Sequence, residues 1–465
     1  MEVTSPVPRA PSEVARPRRP AAPSAAASVP VAWRVLARVG LCAIVLGAVL
    51  LVAFAASEPT VYVPASIRGG FPGWLSGPLH GLRLGRLSND RFQDVLILMS
   101  IGYGLVLVGA QSLSLRAVLI AVGLANLALF LGPPLLSQDV FGYLSFARLA
   151  VVHGLDPYNH ASAAVPGDAV YRYLGWRTVD SPYGPLYTIG SFVLAPLGVA
   201  GGLWALKAIA VSTCFAAIAI VGRAAQILGR PAAAAAAFVG LNPVLLVDAV
   251  GGFHNDTLLL LLFAAMLLFA ATARYGRAMA ALIVAVGIKL SAGLVVPFLI
   301  LAPQHMRERR RLAAIALSGL CAIVILAAIA FGSHAFAFIN SIQGEQNMVA
   351  THSVPNELAR LVGLPTIYSL PTWWRDLFIA GLVAATATSL WWTWRGGDWR
   401  VGAGWVTVAL LVSTAWLLPW YIIWLLPFAA LVPDRRLKAA SLALTAYAVL
   451  IRLPLASSLL GGRRS

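Results

Sequence analysis

The side chains that could carry chemistry are concentrated in one polar interval of an otherwise apolar sequence, residues 137–185. Asp139 directly follows a hydrophobic run, and residues 139–153 can form a helix. One side of this helix would be apolar, with Phe141, Leu144, Leu149 and Val152. The other side would be polar, with Asp139, Tyr143, Ser145 and Arg148. This pattern is typical of a helix that lies on a bilayer. A carboxylate held at the depth of the lipid headgroups suggests chemistry on a lipid-linked substrate.

Asp139 has two interpretations. An acidic residue at a helix start can simply cap the helix and stabilise its dipole. Its position between a hydrophobic span and an amphipathic helix, with Tyr143 and Arg148 following, favours a functional role.

Two turns in the same interval combine a carboxylate with a tyrosine. Asp156 and Tyr158 lie in Gly-Leu-Asp-Pro-Tyr-Asn, and Asp180 and Tyr183 lie in Asp-Ser-Pro-Tyr-Gly-Pro. On one interpretation each motif is merely a loop corner fixed by its prolines. A carboxylate and an aromatic ring beside a rigid turn also suit the binding of a sugar.

Polar groups recur at three later places within apolar sequence. His254, Asn255 and Asp256 follow two glycines between apolar segments, where ionisable groups are costly and usually line a cavity or pair with one another; Asn255 or Asp256 could instead cap the next helix. Lys289 interrupts an apolar run far from its ends, which predicts a buried anionic partner, either Asp256 or a phosphate. Arg452 is a second candidate for a phosphate and could otherwise anchor a helix end. Metal-ligand spacing of Cys and His is absent from the sequence, which favours neither a metal site nor a cofactor.

The elements that must position these groups are membrane spans. The chain has 465 residues, of which 60% are hydrophobic and 11% charged, and its mean hydropathy is +0.83. This composition predicts an all-α polytopic membrane protein of about 11 to 13 transmembrane helices. The net charge of +17 comes from basic residues that cluster between apolar runs, as expected for cytoplasmic loops, so nucleic-acid binding is not predicted.

The order of spans and loops places Asp139 on the outer face. Residues 1–30 are rich in Pro, Ala, Ser and Arg and predict a disordered cytoplasmic tail. Spans near 33–55, 93–111 and 115–134 then leave Asp139 outside. Further apolar segments are expected at 185–201, 203–222, 232–250, 256–273, 278–302, 312–331, 376–394, 400–417, 419–432 and 437–456. The transmembrane domain would cover 31–458, with outer loops at 56–92, 135–184 and 332–375 and a final tail at 459–465.

Two of these segments are expected to be irregular. The apolar stretch at 278–302 is broken around Lys289 and can form two short helices, and the segment at 185–201 is short. Proline and glycine at such points are tolerated where the backbone lines a polar cavity. Most tryptophans read as an interfacial belt, but the stretch from Trp416 to Tyr421, at a proline-containing outer turn, could contact sugar.

Four motifs taken in order resemble a known family. SQDVFGYLSFARLAVVHGLDPY, SPYGPLY, GGFHND and IKLSAG are similar to the actinobacterial α-1,6-mannosyltransferases of the MptA/MptB family, integral membrane enzymes of the GT-C glycosyltransferase superfamily. The likeness covers most of residues 33–456. It implies a GT-C-type helical bundle, a polyprenyl-phosphate mannose donor, inversion at the sugar carbon, and a catalytic acid in an early outer loop, which falls on Asp139.

The residues fit the chemistry that the resemblance implies. Sugar transfer from a lipid phosphate needs a base for the acceptor hydroxyl and cations for the departing phosphate. Asp139 would be the base, and Lys289, Arg148 and Arg452 are the candidates for phosphate binding. Sugar or acceptor binding is assigned to Tyr143, Asp156, Tyr158, Asp180, Tyr183, His254, Asn255 and Asp256. No metal is required by this scheme.

The expected activity is the inverting transfer of mannose to a growing α-1,6-mannan or lipoglycan at the outer face of the plasma membrane. Two alternatives remain open at this point. A GT-C transferase for another lipid-linked sugar, arabinofuranose or glucose, would share the same motifs. A transporter or flippase of a lipid-linked sugar would also need intramembrane Lys, Asp and His, and an inverted repeat would favour it.

Overall fold

The computed structural model describes residues 30–366 and 369–453. The tails predicted for 1–30 and 459–465 therefore lie outside the described residues, apart from Pro30. Within the described part of the chain the regular structure is entirely helical. This confirms the prediction of an all-α membrane protein, in which helices satisfy their backbone polar groups internally.

The helices follow one another with short connections. In the N-terminal third they are α1 (Val31–Ser57), α2 (Pro64–Arg68), α3 (Gly73–Ser76), α4 (Asn89–Gly109), α5 (Leu115–Leu131) and α6 (Asp139–His153). In the middle they are α7 (Pro185–Ser191), α8 (Gly198–Ile227), α9 (Ala232–Gly240), α10 (Asp256–Ala271), α11 (Tyr275–Ile288) and α12 (Val296–Leu301). The last are α13 (Met306–Phe331), α14 (Phe338–Asn347), α15 (Val354–Leu361), α16 (Thr372–Trp394), α17 (Trp399–Ser413), α18 (Leu426–Leu431) and α19 (Arg435–Leu450).

Length and composition identify the membrane-spanning elements. Helical stretches long and apolar enough to cross a bilayer are Val31–Ser57, Asn89–Ser112, Pro185–Ile227, Met306–His334 and Thr372–Trp394. Shorter apolar helical stretches are Leu115–Leu131, Asp256–Ala271, Tyr275–Ile288, Leu290–Leu301, Trp399–Ser413 and Pro419–Leu431. By length and composition, the protein is thus polytopic.

Helix breaks occur where polar residues enter the bundle. Lys289 has extended backbone (φ −147°, ψ 118°) between α11 and a 3₁₀ turn, Leu290–Val295, as predicted for this segment. The turn before α7 packs on the break, because the Gly184 N–H donates to the Ile288 carbonyl at 3.0 Å. A Cβ at position 184 would lie 2.4 Å from the Gly287 carbonyl oxygen, so only glycine fits there.

The predicted boundaries differ from the structure where the helix type changes. The predicted span at 232–250 is α9 followed by a π-helical turn, Leu245–Val250. The predicted start at 203 lies inside α8, which begins at Gly198 directly after a 3₁₀ turn, Phe192–Leu197. Hydropathy cannot resolve these changes, because a 3₁₀ or π turn needs no change in residue type.

Helix α6 forms where the sequence predicts it, but it packs inside the protein. Tyr143 and Ser145, expected on its polar face, are buried as fully as Phe141 and Leu144. Only the last turn is open, where Val152 is exposed. The two faces of α6 therefore contact protein, and the helix fixes its first residue, Asp139, inside the bundle rather than at the lipid surface.

The second half of α6 is held by a buried carboxylate of the following loop. Asp168 accepts from Arg148 Nε at 2.9 Å and lies 2.6 Å from His153 Nε2. Burial raises the pKa of Asp168, but hydrogen bonds from Arg148, the Val170 N–H and His153 outweigh it and bring the pKa to about 2. Asp168 is thus ionised at neutral pH and ties α6 to its loop.

Candidate active site

One large cavity collects much of the chemistry predicted from the sequence. Its volume is about 1170 Å³, and Asp139, Tyr143, Tyr183, Asp256 and Lys289 all line it. These residues come from α6, the loop before α7, the start of α10 and the break after α11. A cavity of this size can hold a substrate larger than a single sugar.

At one wall of the cavity Asp139 meets a histidine. Its Oδ2 lies 3.4 Å from Nδ1 of His254, and its backbone N–H donates to Ser137 Oγ at 3.1 Å. The same Nδ1 lies 3.5 Å from the hydroxyl of Tyr143, which also accepts from the Asn255 N–H at 3.3 Å. Burial raises the pKa of Asp139, but the hydrogen bonds to His254 and Ser137 hold it below its usual range. The Asp139 carboxylate is therefore ionised at neutral pH.

The turn before α10 gives His254 its orientation. Phe253 has a left-handed backbone (φ 53°), and the His254 N–H donates to the Ala249 carbonyl at 2.9 Å. A Cβ at Gly252 would come within 2.6 Å of the imidazole, so glycine is needed for the ring to fold back over the turn. The ring then stacks on Trp420 with centroids 3.7 Å apart. Asn255 is buried behind this wall, where its side chain accepts from the Tyr143 hydroxyl.

On the other wall Lys289 forms a buried ion pair. Its Nζ donates to Asp256 Oδ1 at 2.8 Å, and Trp424 Nε1 donates to the same oxygen at 2.7 Å. Asp256 is 1% exposed and Lys289 17% exposed, so the carboxylate lies behind the ammonium group, which faces the cavity. The Lys289 Nζ also lies 4.5 Å from the centroid of the Tyr421 ring. The anionic partner expected for Lys289 is thus Asp256, and the ammonium has two more N–H donors.

Seven predicted site residues are outside this cavity's lining. His254 and Asn255 lie behind it, against Asp139 and Tyr143, and the other five each have a structural environment of their own. Arg148 is paired with Asp168, and Arg452 is paired with Asp248 and lines a second cavity of about 300 Å³. Asp156 contacts His334, and the Tyr158 hydroxyl donates to the Tyr183 carbonyl. Asp180 is half-buried in the loop, where burial raises its pKa. None of the five is retained below as a substrate-binding residue.

Other cavity residues were not singled out from the sequence. Ser291 and Gln138 carry buried polar atoms without a hydrogen-bond partner in the described part of the chain. Arg68 and Arg375 add positive charge to the lining. No spacing signal could have found them, because each lies on a different element and reaches the cavity only through the fold. Among the described residues no group of three or more His, Cys, Asp or Glu could hold a metal ion.

The fold and the cavity together define a polytopic membrane protein with a charged cavity lined by residues of its helices and loops. Residues 94–305 match the family model described as alpha-(1→6)-mannopyranosyltransferase, N-terminal domain. Over this part of its length the chain is similar to that family, and the protein is a glycosyltransferase.

Curated relatives carry the same name. The chain is 29% identical to alpha-(1→6)-mannopyranosyltransferase A of Mycobacterium tuberculosis over 402 residues, which cover 81% of this chain and 77% of that protein. It is 31% identical to alpha-(1→6)-mannopyranosyltransferase A of Corynebacterium glutamicum over 185 residues, 38% of this chain and 37% of that protein. No solved structure matches the chain. At the level of the family, the reaction is mannosyl transfer.

Proposed function

We propose that the protein transfers mannose from a polyprenyl-phosphate donor to an α-1,6-linked mannan or lipoglycan at the outer face of the plasma membrane, with inversion at the sugar carbon. The observation that carries this proposal is the cavity that Asp139 and Lys289 share. It offers a carboxylate for the acceptor hydroxyl and an ammonium for the departing phosphate, which are the two groups that the reaction needs.

Asp139 is the general base. Its carboxylate is ionised and reaches the cavity with 14% of its side chain exposed, while His254 fixes the orientation of one oxygen. The other oxygen can accept the proton of an acceptor hydroxyl as the bond to the mannosyl carbon forms. A single displacement of this kind inverts the configuration at that carbon.

Lys289 stabilises the leaving phosphate. One N–H of its ammonium group is held by Asp256, which leaves two for phosphate oxygens in the cavity. Ser291 lies two residues on and presents a buried hydroxyl without a partner among the described residues, and Arg375 lines the same cavity. Positive groups held in place before the reaction stabilise charge as it develops on the phosphate.

An apolar wall of the same cavity supports a polyprenyl donor. Leu290 and Leu294 from the break after α11 line it together with Ile379, Leu382 and Leu410 from α16 and α17. This wall begins beside Lys289, so a phosphate at the ammonium group would place its hydrocarbon chain along apolar side chains. A nucleotide-sugar donor would gain nothing from such a wall.

The test is a transfer assay in membranes that contain the full chain. Radiolabelled polyprenyl-phosphate mannose and a short α-mannoside acceptor are supplied, and the labelled product is measured. Asp139→Asn should lower kcat by about 100-fold or more, because it removes the base. Asp90→Asn is the matched control, since Asp90 also lies in the first turn of a helix but is exposed and outside the cavity.

Two results would contradict the proposal. Equal rates of transfer for wild type and Asp139→Asn would show that Asp139 is not the base. Transfer only from polyprenyl-linked arabinofuranose or glucose would keep the mechanism and change the donor sugar.

A further inference from the structure

Two tryptophans from distant parts of the chain meet in the lining of the catalytic cavity. Trp176 lies in the loop between α6 and α7, and Trp416 lies in the turn after α17. Their rings pack edge to face with centroids 5.8 Å apart, and both line the cavity. Trp176 is 44% exposed, so part of its indole is open to a ligand. An open indole of this kind can bind an apolar ring face.

The loop that carries Trp176 is fixed against the start of α6. Gly175 packs on the side chain of Gln138, and a Cβ at position 175 would lie 2.7 Å from Gln138 Oε1. Gln138 is 8% exposed and lines the cavity, but its Nε2 has no hydrogen-bond partner in residues 30–366 and 369–453. A buried amide N–H₂ without a partner costs stability unless a ligand accepts its hydrogen bond. Gln138 directly precedes Asp139.

Trp416 belongs to an aromatic stretch that reaches from this pair to the base. Trp420, four residues later, stacks on His254, which contacts Asp139. Trp424 donates to Asp256 beside Lys289. Trp416, Trp420, Tyr421 and Trp424 therefore all line the cavity that Asp139 also lines.

We propose that Trp176, Trp416 and Gln138 form an acceptor subsite that binds a pyranose ring of the glycan other than the one that receives the new sugar. The proposal rests on the function proposed above. The C–H face of a pyranose would pack on the indoles, and a ring hydroxyl would accept from Gln138 Nε2. The subsite makes longer acceptors better substrates without contacting the reacting atoms.

The occupant is a sugar rather than a hydrocarbon chain. A lipid tail has no acceptor for the Gln138 amide, and the apolar wall suited to it is formed by different residues on α16 and α17. Trp176 and Gln138 belong to the loop side of the cavity, near Arg68, which also lines it. An indole face combined with an amide donor matches the amphipathic surface of a pyranose.

Binding is measured first, because it does not depend on transfer. The full chain in nanodiscs is titrated by calorimetry with a methyl α-mannoside and with an α-1,6-linked mannotriose. The triose should bind wild type more tightly than the monosaccharide. Trp176→Ala should weaken triose binding by about tenfold, and Trp176→Phe should keep most of it. Trp391→Ala, on the exposed end of α16 and outside the cavity lining, is the control that should bind both sugars like wild type.

The same variants are then assayed for transfer. Trp176→Ala and Gln138→Leu should raise KM for the triose and reduce the ratio of kcat/KM between triose and monosaccharide, while KM for the donor stays constant. An equal loss of kcat/KM for the triose and the monosaccharide would overturn the subsite. A change in KM for the donor alone would also overturn it. Length-dependent binding that Trp176→Ala abolishes, in a protein without mannosyl transfer, would refute the proposed function and leave the subsite standing.

Discussion

The imidazole of His254 connects three parts of the chain to the Asp139 carboxylate, which we propose as the base. Its Nδ1 faces Asp139 and the Tyr143 hydroxyl, and its ring stacks on Trp420. Nε2 is buried without a partner among the described residues, so no protein acceptor competes to place the ring proton there. A proton on Nδ1 orients one Asp139 oxygen and lowers the basicity of the carboxylate. We infer that His254 is a positioning residue.

Replacement of His254 should change the pH dependence of transfer as well as its rate. Burial alone would raise the pKa of Asp139, and the hydrogen bond to His254 offsets this. In His254→Asn the pKa of Asp139 should therefore rise, and the acidic limb of kcat/KM against pH should move to higher pH. The rate at the optimum should fall by about tenfold or more, because the carboxylate loses its orientation.

The control for this experiment is an exposed histidine. His305 lies in the connection before α13, and His305→Asn should leave the profile and the rate unchanged. A His254→Asn enzyme that loses rate without any shift of the acidic limb would show that the histidine only supports the fold.

At the scale of elements, sequence patterns predicted what depends on local residue types. The start of α6 at Asp139 and the break at Lys289 follow from a polar residue that interrupts an apolar run, and both are present. The pairing of Arg148 with Asp168 was missed, because the two residues share no helix and no spacing rule connects them. The stacking of Trp420 on His254 was missed for the same reason. The site residues could therefore be proposed as candidates, but only the fold separates those that line the cavity from those that hold loops.

The attachment of α6 to its loop predicts a pH-dependent loss of stability. The pKa of Asp168 is about 2 in the folded protein, below the ordinary value of about 3.9 for an unfolded chain. Its contribution to the free energy of unfolding is thus complete above pH 4 and disappears as the pH falls towards 2. At pH 7, Asp168→Asn should cost about 3 kcal/mol, because it leaves Arg148 without its partner in a largely buried position.

Thermal unfolding in detergent tests this at several pH values. The difference in Tm between wild type and Asp168→Asn should be largest near neutral pH and should shrink between pH 4 and pH 2. Asp94→Asn, an exposed carboxylate of α4, should show little difference at any pH. A difference that stays constant down to pH 2 would mean that the charge of Asp168 is not what stabilises the loop.

At the scale of the whole molecule, the loops of the site gather at one end of the bundle. The Leu136 N–H donates to the Tyr62 carbonyl and the Leu135 N–H to the Gly251 carbonyl, each at 2.8 Å. These two hydrogen bonds join three connections beside the cavity. Helix α8 leaves this end near Trp204, whose Nε1 donates to the Trp74 carbonyl, and extends for about 45 Å. Beyond its far end, burial and then the charge of Arg400 lower the pKa of Arg230. Burial and then the charge of Arg230 lower the pKa of Lys438.

This separation of charge predicts the orientation in the membrane. Short connections with clustered arginines stay in the cytoplasm. The end that carries Arg230, Arg400 and Lys438 should therefore be inside, and the cavity with Asp139 should open outside, where a lipid-linked donor and a cell-envelope glycan can meet.

Cysteine labelling in intact cells can decide the orientation. The natural Cys42, Cys214 and Cys321 are first replaced by alanine, and one cysteine is then introduced at an exposed position. With a membrane-impermeant maleimide, Gly167→Cys in the loop after α6 should react in intact cells. Gln304→Cys, next to the arginine run at the start of α13, should react only after permeabilisation. The reverse pattern would show that the cavity opens towards the cytoplasm, and it would exclude a reaction at the outer face. The expected pattern would mean that every substrate that reacts at Asp139 must be available outside the membrane.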